Sequence, residues 1–277
     1  GPLSIIIEAK DLSSARPVVI KSVANDYLNS QDMREMLWNE ADASALVRHP
    51  GVVSIKQAGD DNGRPYLVME RVEGEPLWGL TCMDCLGIAD ALDIFSKLCD
   101  ALAEVHRQGI IHRDLKTSNF LVTNRSGKWK AKIIDFGYAY VPCRFDYAQS
   151  AGHPVGTSFY MAPEGMLPKS SVDARADIFS LGVSLYETLS GKYPYLLPPH
   201  RISNEKIIEL RQSGGIVPLG IRFPRFGPEL CRIVDRAINI DRSKRFPSVI
   251  DMKGEIDFYL KTVCSWDEDD REEDWVR

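Results

Sequence analysis

The eight residues His112 to Asn119, HRDLKTSN, place a carboxylate (Asp114), an ammonium (Lys116) and a side-chain amide (Asn119) in one short stretch. A carboxylate there can accept a hydroxyl proton, an ammonium can neutralise a phosphoryl oxygen, and an amide oxygen can ligate Mg²⁺. Phosphoryl transfer needs these parts, because it depends on positioning and charge stabilisation more than on covalent chemistry. Asp135 opens Asp135-Phe136-Gly137 sixteen residues after Asn119 and supplies a second carboxylate for a metal. Ala162-Pro163-Glu164 follows.

These three motifs, in this order, resemble the signature set of the eukaryotic-type serine/threonine protein kinase catalytic domain, and the likeness runs over nearly the whole chain. The resemblance implies an α+β, bilobal fold: a small β-rich N-lobe over residues 1–72, a larger helical C-lobe over 73–264, and an acidic tail over 265–277. It implies Asp114 as catalytic base, Lys116 steadying the transferring group, and Asn119 and Asp135 holding Mg²⁺. ATP would be the phosphoryl donor and a protein hydroxyl the acceptor. Lys21, within the β-branched run PVVIKSV (residues 17–23), matches the lysine that binds the α- and β-phosphates and pairs with a glutamate on the next helix. Glu40 lies nineteen residues on, at the family's usual interval; Glu35 is the rival but falls too far before His49-Pro50. Val19 stands where the family has an alanine facing adenine. Met69 resembles the gatekeeper, Glu70-Arg71-Val72 the hinge, and Leu121 the residue packed beneath adenine. Lys116 in DLKTSN and Thr157 in GTSFYMAPE favour serine/threonine over tyrosine as the acceptor.

The chain also departs from the family pattern. It contains no G-x-G-x-x-G, the glycine-rich loop that covers ATP phosphates, and has no room for the first strand that precedes that loop in the family, so the N-lobe is expected to lack that strand and most of the loop. Gly1-Pro2-Leu3-Ser4 reads either as a tag scar or as a remnant of that loop. A kinase-fold binding or scaffold protein that holds nucleotide poorly is therefore the alternative function. A small-molecule kinase of related fold is disfavoured by Ala162-Pro163-Glu164 and Arg245, which shape a protein-substrate shelf. Ser44 occupies a position where the family places a large apolar side chain, which questions how firmly the helix is held inward. Phe179 replaces the customary tryptophan. Arg113 is the arginine that in such kinases meets a phosphorylated activation-segment residue, yet His153 stands where that residue is expected. Ser150 is the nearest hydroxyl upstream and the candidate for modification, with Thr157 and Tyr160 read as structural. Asp177 is expected to bind backbone beneath the HRD turn, and Glu164 to pair with Arg245.

These residues need elements to aim them. Strands are expected near 5–9, 17–23, 52–58 and 64–70, the last two joined by the turn-forming Asp60-Asp61-Asn62-Gly63. Apolar spacing predicts helices over 31–47 and 90–107, the latter carrying Leu92, Phe95, Leu98, Cys99, Leu102 and Val105 on one face and stopping at Gly109. The catalytic stretch follows it directly. Further helices are expected over 173–191, 203–212, 228–238 and 248–260.

Composition sets outer bounds. The chain has 277 residues, 44% of them hydrophobic, enough for one large domain or two lobes. Its net charge of −5 resides in the tail, where seven acidic residues face Arg271 and Arg277; the rest is balanced. No basic surplus points to nucleic acid or an anionic membrane. The tail is a solvated end or a docking segment for a regulatory partner. The six cysteines form no disulfide framework, and Cys82-x-x-Cys85 lacks a second pair at zinc spacing. No apolar run reaches membrane-spanning length and no secretory signal opens the chain, so a soluble, cytoplasmic location is expected.

Overall fold

The computed structural model describes residues 3–82, 86–144, 146, 157–166, 171–196, 206, 207, 209 and 215–264. Its N-lobe is an antiparallel sheet of β1 (Ser4–Lys10), β2 (Pro17–Val23), β3 (Ile55–Asp61) and β4 (Arg64–Glu70), ordered β1-β2-β4-β3. Register places Lys21 of β2 opposite Leu67 and Val19 opposite Met69. One helix, α1 (Gln31–Leu46), lies against this sheet. Ser30 caps it by accepting from the Met33 backbone N–H, satisfying one of the unpaired first-turn donors.

The third strand begins three residues later than the apolar run at Val52 predicts. Val52 and Val53 are buried, but they pair with Ile133 of β7 (Lys128–Ile133) instead of continuing β3. The Val53 N–H donates to the Ile133 carbonyl at 3.0 Å, and the Ile133 N–H donates to Gly51 at 2.8 Å. A β-branched run thus joins the N-lobe to the strand that precedes Asp135. Sequence pattern registers the burial of such residues but not which partner they take.

A second sheet, β5 (Glu75–Pro76), β6 (Phe120–Arg125) and β7, is ordered β5-β6-β7. Helices α2 (Leu77–Cys82), α3 (Ile88–Arg107), α4 (Arg175–Ser190), α5 (Leu219–Arg222), α6 (Pro228–Ala237) and α7 (Val249–Tyr259) build the larger lobe. The apolar stripe of α3 is fully buried, and Gly109, at φ +74°, turns the chain just past its end. Helix α4 starts two residues later than expected because Asp173 accepts from the Arg175 N–H (2.9 Å) ahead of its first turn; Gly191, at φ +67°, caps its end. Ser248 and Asp251 form a capping box on α7. Among the described residues no helix is long and apolar enough to cross a membrane. The helix expected over 203–212 lies largely outside the described residues, as do Cys85, Ser150, His153 and the tail from residue 265.

Candidate active site

Lys21 projects from β2 toward α1, where its Nζ donates to Glu40 Oε2 at 2.6 Å. It also donates to Asp135 Oδ1 at 3.0 Å, joining three segments that lie up to 114 residues apart. The rival carboxylate, Glu35, turns away from the site and accepts from Gln31 and Arg144. Burial raises the Glu40 carboxyl to about 7, with Lys21 opposing the shift only in part. Desolvation would lower the Lys21 ammonium, but Glu40 and Asp135 outweigh it and hold its proton more tightly than usual. Burial would raise Asp135 too, yet the Lys21 charge and hydrogen bond keep it below the ordinary carboxylate value. An opposite charge at hydrogen-bond distance explains both signs.

The catalytic loop is held from below. Asp177, at the start of α4 and 0% exposed, accepts from the backbone N–H of His112 at 2.8 Å and of Arg113 at 2.9 Å. His106 Nε2 contacts the same carboxylate at 2.8 Å. Burial pushes this carboxyl up, but the His106 bond and nearby positive charge leave it depressed. Arg113 sits at φ +65°, a left-handed conformation that a non-glycine residue holds only when its surroundings compensate. These two hydrogen bonds supply that compensation.

Above the turn, Asp114 is almost fully covered. Its Oδ1 accepts from the Thr157 N–H and Oγ1, both at 2.8 Å. Its Oδ2 accepts from Lys116 Nζ at 2.7 Å and Asn119 Nδ2 at 3.3 Å. Lys116 also donates to Thr157 Oγ1 at 2.7 Å, so Thr157 ties the far end of the activation segment to both charged residues. Asn119 spends its amide nitrogen on Asp114, including the Asp114 carbonyl at 2.9 Å. Tyr160 is buried and donates to Glu187 at 2.7 Å. The Thr157 and Tyr160 hydroxyls thus serve internal bonds.

Lys21, Glu40, Asp114, Lys116 and Asp135 line one cavity of about 310 Å³, together with Tyr138 and Thr157. The residues expected on the adenine side fall elsewhere. Glu70, Val72 and Leu121 line a second hollow of about 210 Å³, while Val19 and Met69 pack in the N-lobe apolar cluster with Leu37 and Leu67. Sequence reasoning missed three contacts here. Ser44 accepts from the Ile55 N–H (3.1 Å) and donates to the Val53 carbonyl (3.3 Å), so this small polar side chain ties α1 to the chain entering β3. Asn39 Nδ2 donates to the carbonyls of Phe136, Gly137 and Ala139 at 3.3, 3.2 and 2.7 Å, tying α1 to the Asp-Phe-Gly turn. Arg113 pairs with Asp146. No local pattern flags any of these contacts; in each, one partner is a short polar side chain whose bond partner is distant in sequence.

A family model described as the protein kinase domain matches residues 1–252. The chain belongs to the protein kinase family. It is 32% identical over 253 residues to the serine/threonine-protein kinase pkn2 of Myxococcus xanthus, covering 88% of this chain and 29% of that protein. Against the serine/threonine-protein kinase PknB of Mycolicibacterium smegmatis it is 30% identical over 264 residues, 92% of this chain and 41% of the relative. With PknA of Mycobacterium tuberculosis the figures are 35% over 201 residues, 70% and 46%. The chain therefore spans less than half the length of these relatives. The family's buried structural pair is also formed. Arg245, 0% exposed at its side chain, grips Glu164 through two bonds of 2.6 and 2.8 Å. Its guanidinium lies 4.9 Å from the Phe179 ring, where the customary tryptophan would be.

Proposed function

We propose that this kinase domain transfers the γ-phosphoryl group of ATP, with Mg²⁺, to serine or threonine hydroxyls of protein substrates. The convergence of Lys21, Glu40 and Asp135 at 2.6 and 3.0 Å carries the reading, because it joins both lobes and α1 in one charged cluster beside Asp114. The serine/threonine kinases at 30–35% identity support the acceptor class.

The residues present suit Mg²⁺. Asn119 commits its nitrogen to Asp114, which leaves its oxygen as a ligand, and Asp135 has a second carboxylate oxygen beyond the one engaged by Lys21. Among the described residues no three or more His, Cys, Asp or Glu side chains gather into a protein-only metal cage. Mg²⁺ does not need one, since it takes one or two carboxylates and completes its shell with water and phosphate. Bound by Asn119 and Asp135, the cation would supply charge neutralisation to the phosphates. Lys21 has a third N–H for phosphate. Asp114 orients and takes the proton of the acceptor hydroxyl. Its four donors fill about the four lone-pair sites of a carboxylate, so one contact must yield to the substrate, and the 3.3 Å bond from Asn119 is the longest. Lys116, held between Asp114 and Thr157, offsets charge on the moving group.

A second reading, a kinase-fold scaffold that binds without transfer, draws on one observation: the adenine-side and phosphate-side residues line separate hollows. Radiolabel transfer from γ-labelled ATP to a generic protein separates the two. Transfer that vanishes in Asp114→Asn is the expected result. A Mg·ATP-dependent thermal shift without any transfer would instead leave the scaffold. A cytoplasmic location and a regulatory partner docking on residues 265–277 belong to this proposal as well; deleting the tail and finding unchanged activity would remove the latter.

A further inference from the structure

The Arg113 guanidinium is engaged end-on by Asp146, at 2.7 Å from Nη1 to Oδ1 and 2.8 Å from Nη2 to Oδ2. The two side chains are only 13% and 16% exposed. A two-point, charge-assisted pair of this kind is stronger and more directional than a single surface contact. Arg113 is fixed on its other sides too. Its backbone N–H is held by Asp177, and its guanidinium lies 5.4 Å from the Tyr140 ring. Tyr140 in turn exchanges two backbone bonds with Ile111, of 2.8 and 3.1 Å, at the root of the catalytic loop.

Two residues before Asp146, Arg144 reaches the other way. It donates to Glu35 at 3.1 Å and pairs with Asp42, both on α1. The stretch 144–146 therefore carries one charge of each sign, and each finds its opposite on a different element. Arg144 fastens the segment to the helix that bears Glu40, and Asp146 fastens it to the loop that bears Asp114.

We propose that Asp146 is a positioning residue for phosphoryl transfer: acting through Arg113, its carboxylate holds the catalytic loop and activation segment in their working arrangement without a phosphate on that segment. A phosphate brings negative charge and acceptor oxygens to an arginine. Asp146 already brings a carboxylate to this one, and a phosphoryl group arriving later would compete with it. This inference rests on the kinase reading above.

The test begins with protein treated with phosphatase and shown phosphate-free by intact mass. Wild type and Ser150→Ala are expected to transfer phosphate at once, without a lag and within about threefold of each other, since neither lacks the carboxylate. Asp146→Asn keeps the shape and removes the charge; kcat is expected to fall about tenfold or more, with KM for ATP changed less than about threefold, because the reacting groups shift while the nucleotide side is untouched. Asp146→Glu should recover most of the loss. Hydrogen exchange at the Ile111 and Tyr140 amides should quicken in Asp146→Asn, while amides of α4 stay protected. The inference is overturned if phosphate-free wild type is inactive and gains activity only on preincubation with ATP, or if Asp146→Asn keeps wild-type kcat. Absence of transfer from every form, phosphorylated or not, would instead sink the kinase reading, and the exchange measurement would then decide the latch alone: unchanged protection at Ile111 and Tyr140 overturns it.

Discussion

Replacing Asp177 with asparagine removes one charge and inverts half of one side chain's hydrogen bonding, at a site with no solvent to compensate. The carboxylate accepts three hydrogen bonds of 2.8–2.9 Å and is 0% exposed. An asparagine oxygen can keep one backbone donor, but its NH₂ then faces the other N–H. Leaving a buried N–H unsatisfied costs about 1–3 kcal/mol, and the lost charge assistance adds about 1–2 kcal/mol more. The left-handed Arg113 backbone stores about 1–3 kcal/mol of strain that these bonds now offset. We expect a net loss of about 4 kcal/mol, which for a domain of this size lowers Tm by about 8–16 °C. Relaxation of Arg113 also moves Asp114, its neighbour, so kcat should fall by about a hundredfold, the effect of a misplacement near 1 Å. The assay pairs a calorimetric or near-UV melt with steady-state transfer kinetics. Lys97→Ala, which removes an exposed pair with Asp93, serves as control and should cost less than about 1 kcal/mol. The reasoning fails if Asp177→Asn melts within the shift of that control and retains wild-type kcat.

Glu40 sets a pH dependence with two opposite signs. Burial raises its folded-state value to about 7, above the unfolded 4.5, so its stabilising contribution is full below the unfolded value and is lost as pH rises through the folded one. Its ion pair with Lys21 needs the charged form, so kcat/KM should rise through about pH 7 while stability falls. A profile over about pH 5.5–8.5 is expected to lose that limb in Glu40→Gln. The same midpoint surviving in the variant would reassign it. Glu164→Ala strands the buried Arg245 guanidinium without its carboxylate. Glu164 retains some exposure, which argues for the low end of the usual penalty, about 3 kcal/mol, or about 6–12 °C in Tm. A melt unchanged from wild type would show that the pair contributes nothing net.

The legible part of this protein was the part encoded by spacing. Asp114, Lys116 and Asn119 lie within six consecutive residues, so chain connectivity alone keeps them close. The kinase resemblance paired Lys21 with Glu40 at the family's usual interval, and their 2.6 Å contact follows that expectation, with Glu35 turned elsewhere. The stripe on α3 likewise announced its buried face. Ser44 was misjudged as a weak point because a hydroxyl in place of an apolar side chain looks like lost packing; its two bonds to the backbone at Val53 and Ile55 become visible only once that chain lies beside α1.

Residue types and their order along the chain determined the family, the α+β class and the set of groups able to act on a phosphate. Tertiary structure alone decided how several of those groups are held: Asn39 against the Asp-Phe-Gly carbonyls, Asp146 on Arg113 across thirty-three residues. The physical reason lies in how each kind of interaction is specified. Apolar burial leaves a period in the sequence because every turn of a helix or pleat of a strand repeats it. A hydrogen bond or ion pair is made once, by atoms within about 3 Å, and nothing in the neighbouring residues records it until the chain has folded.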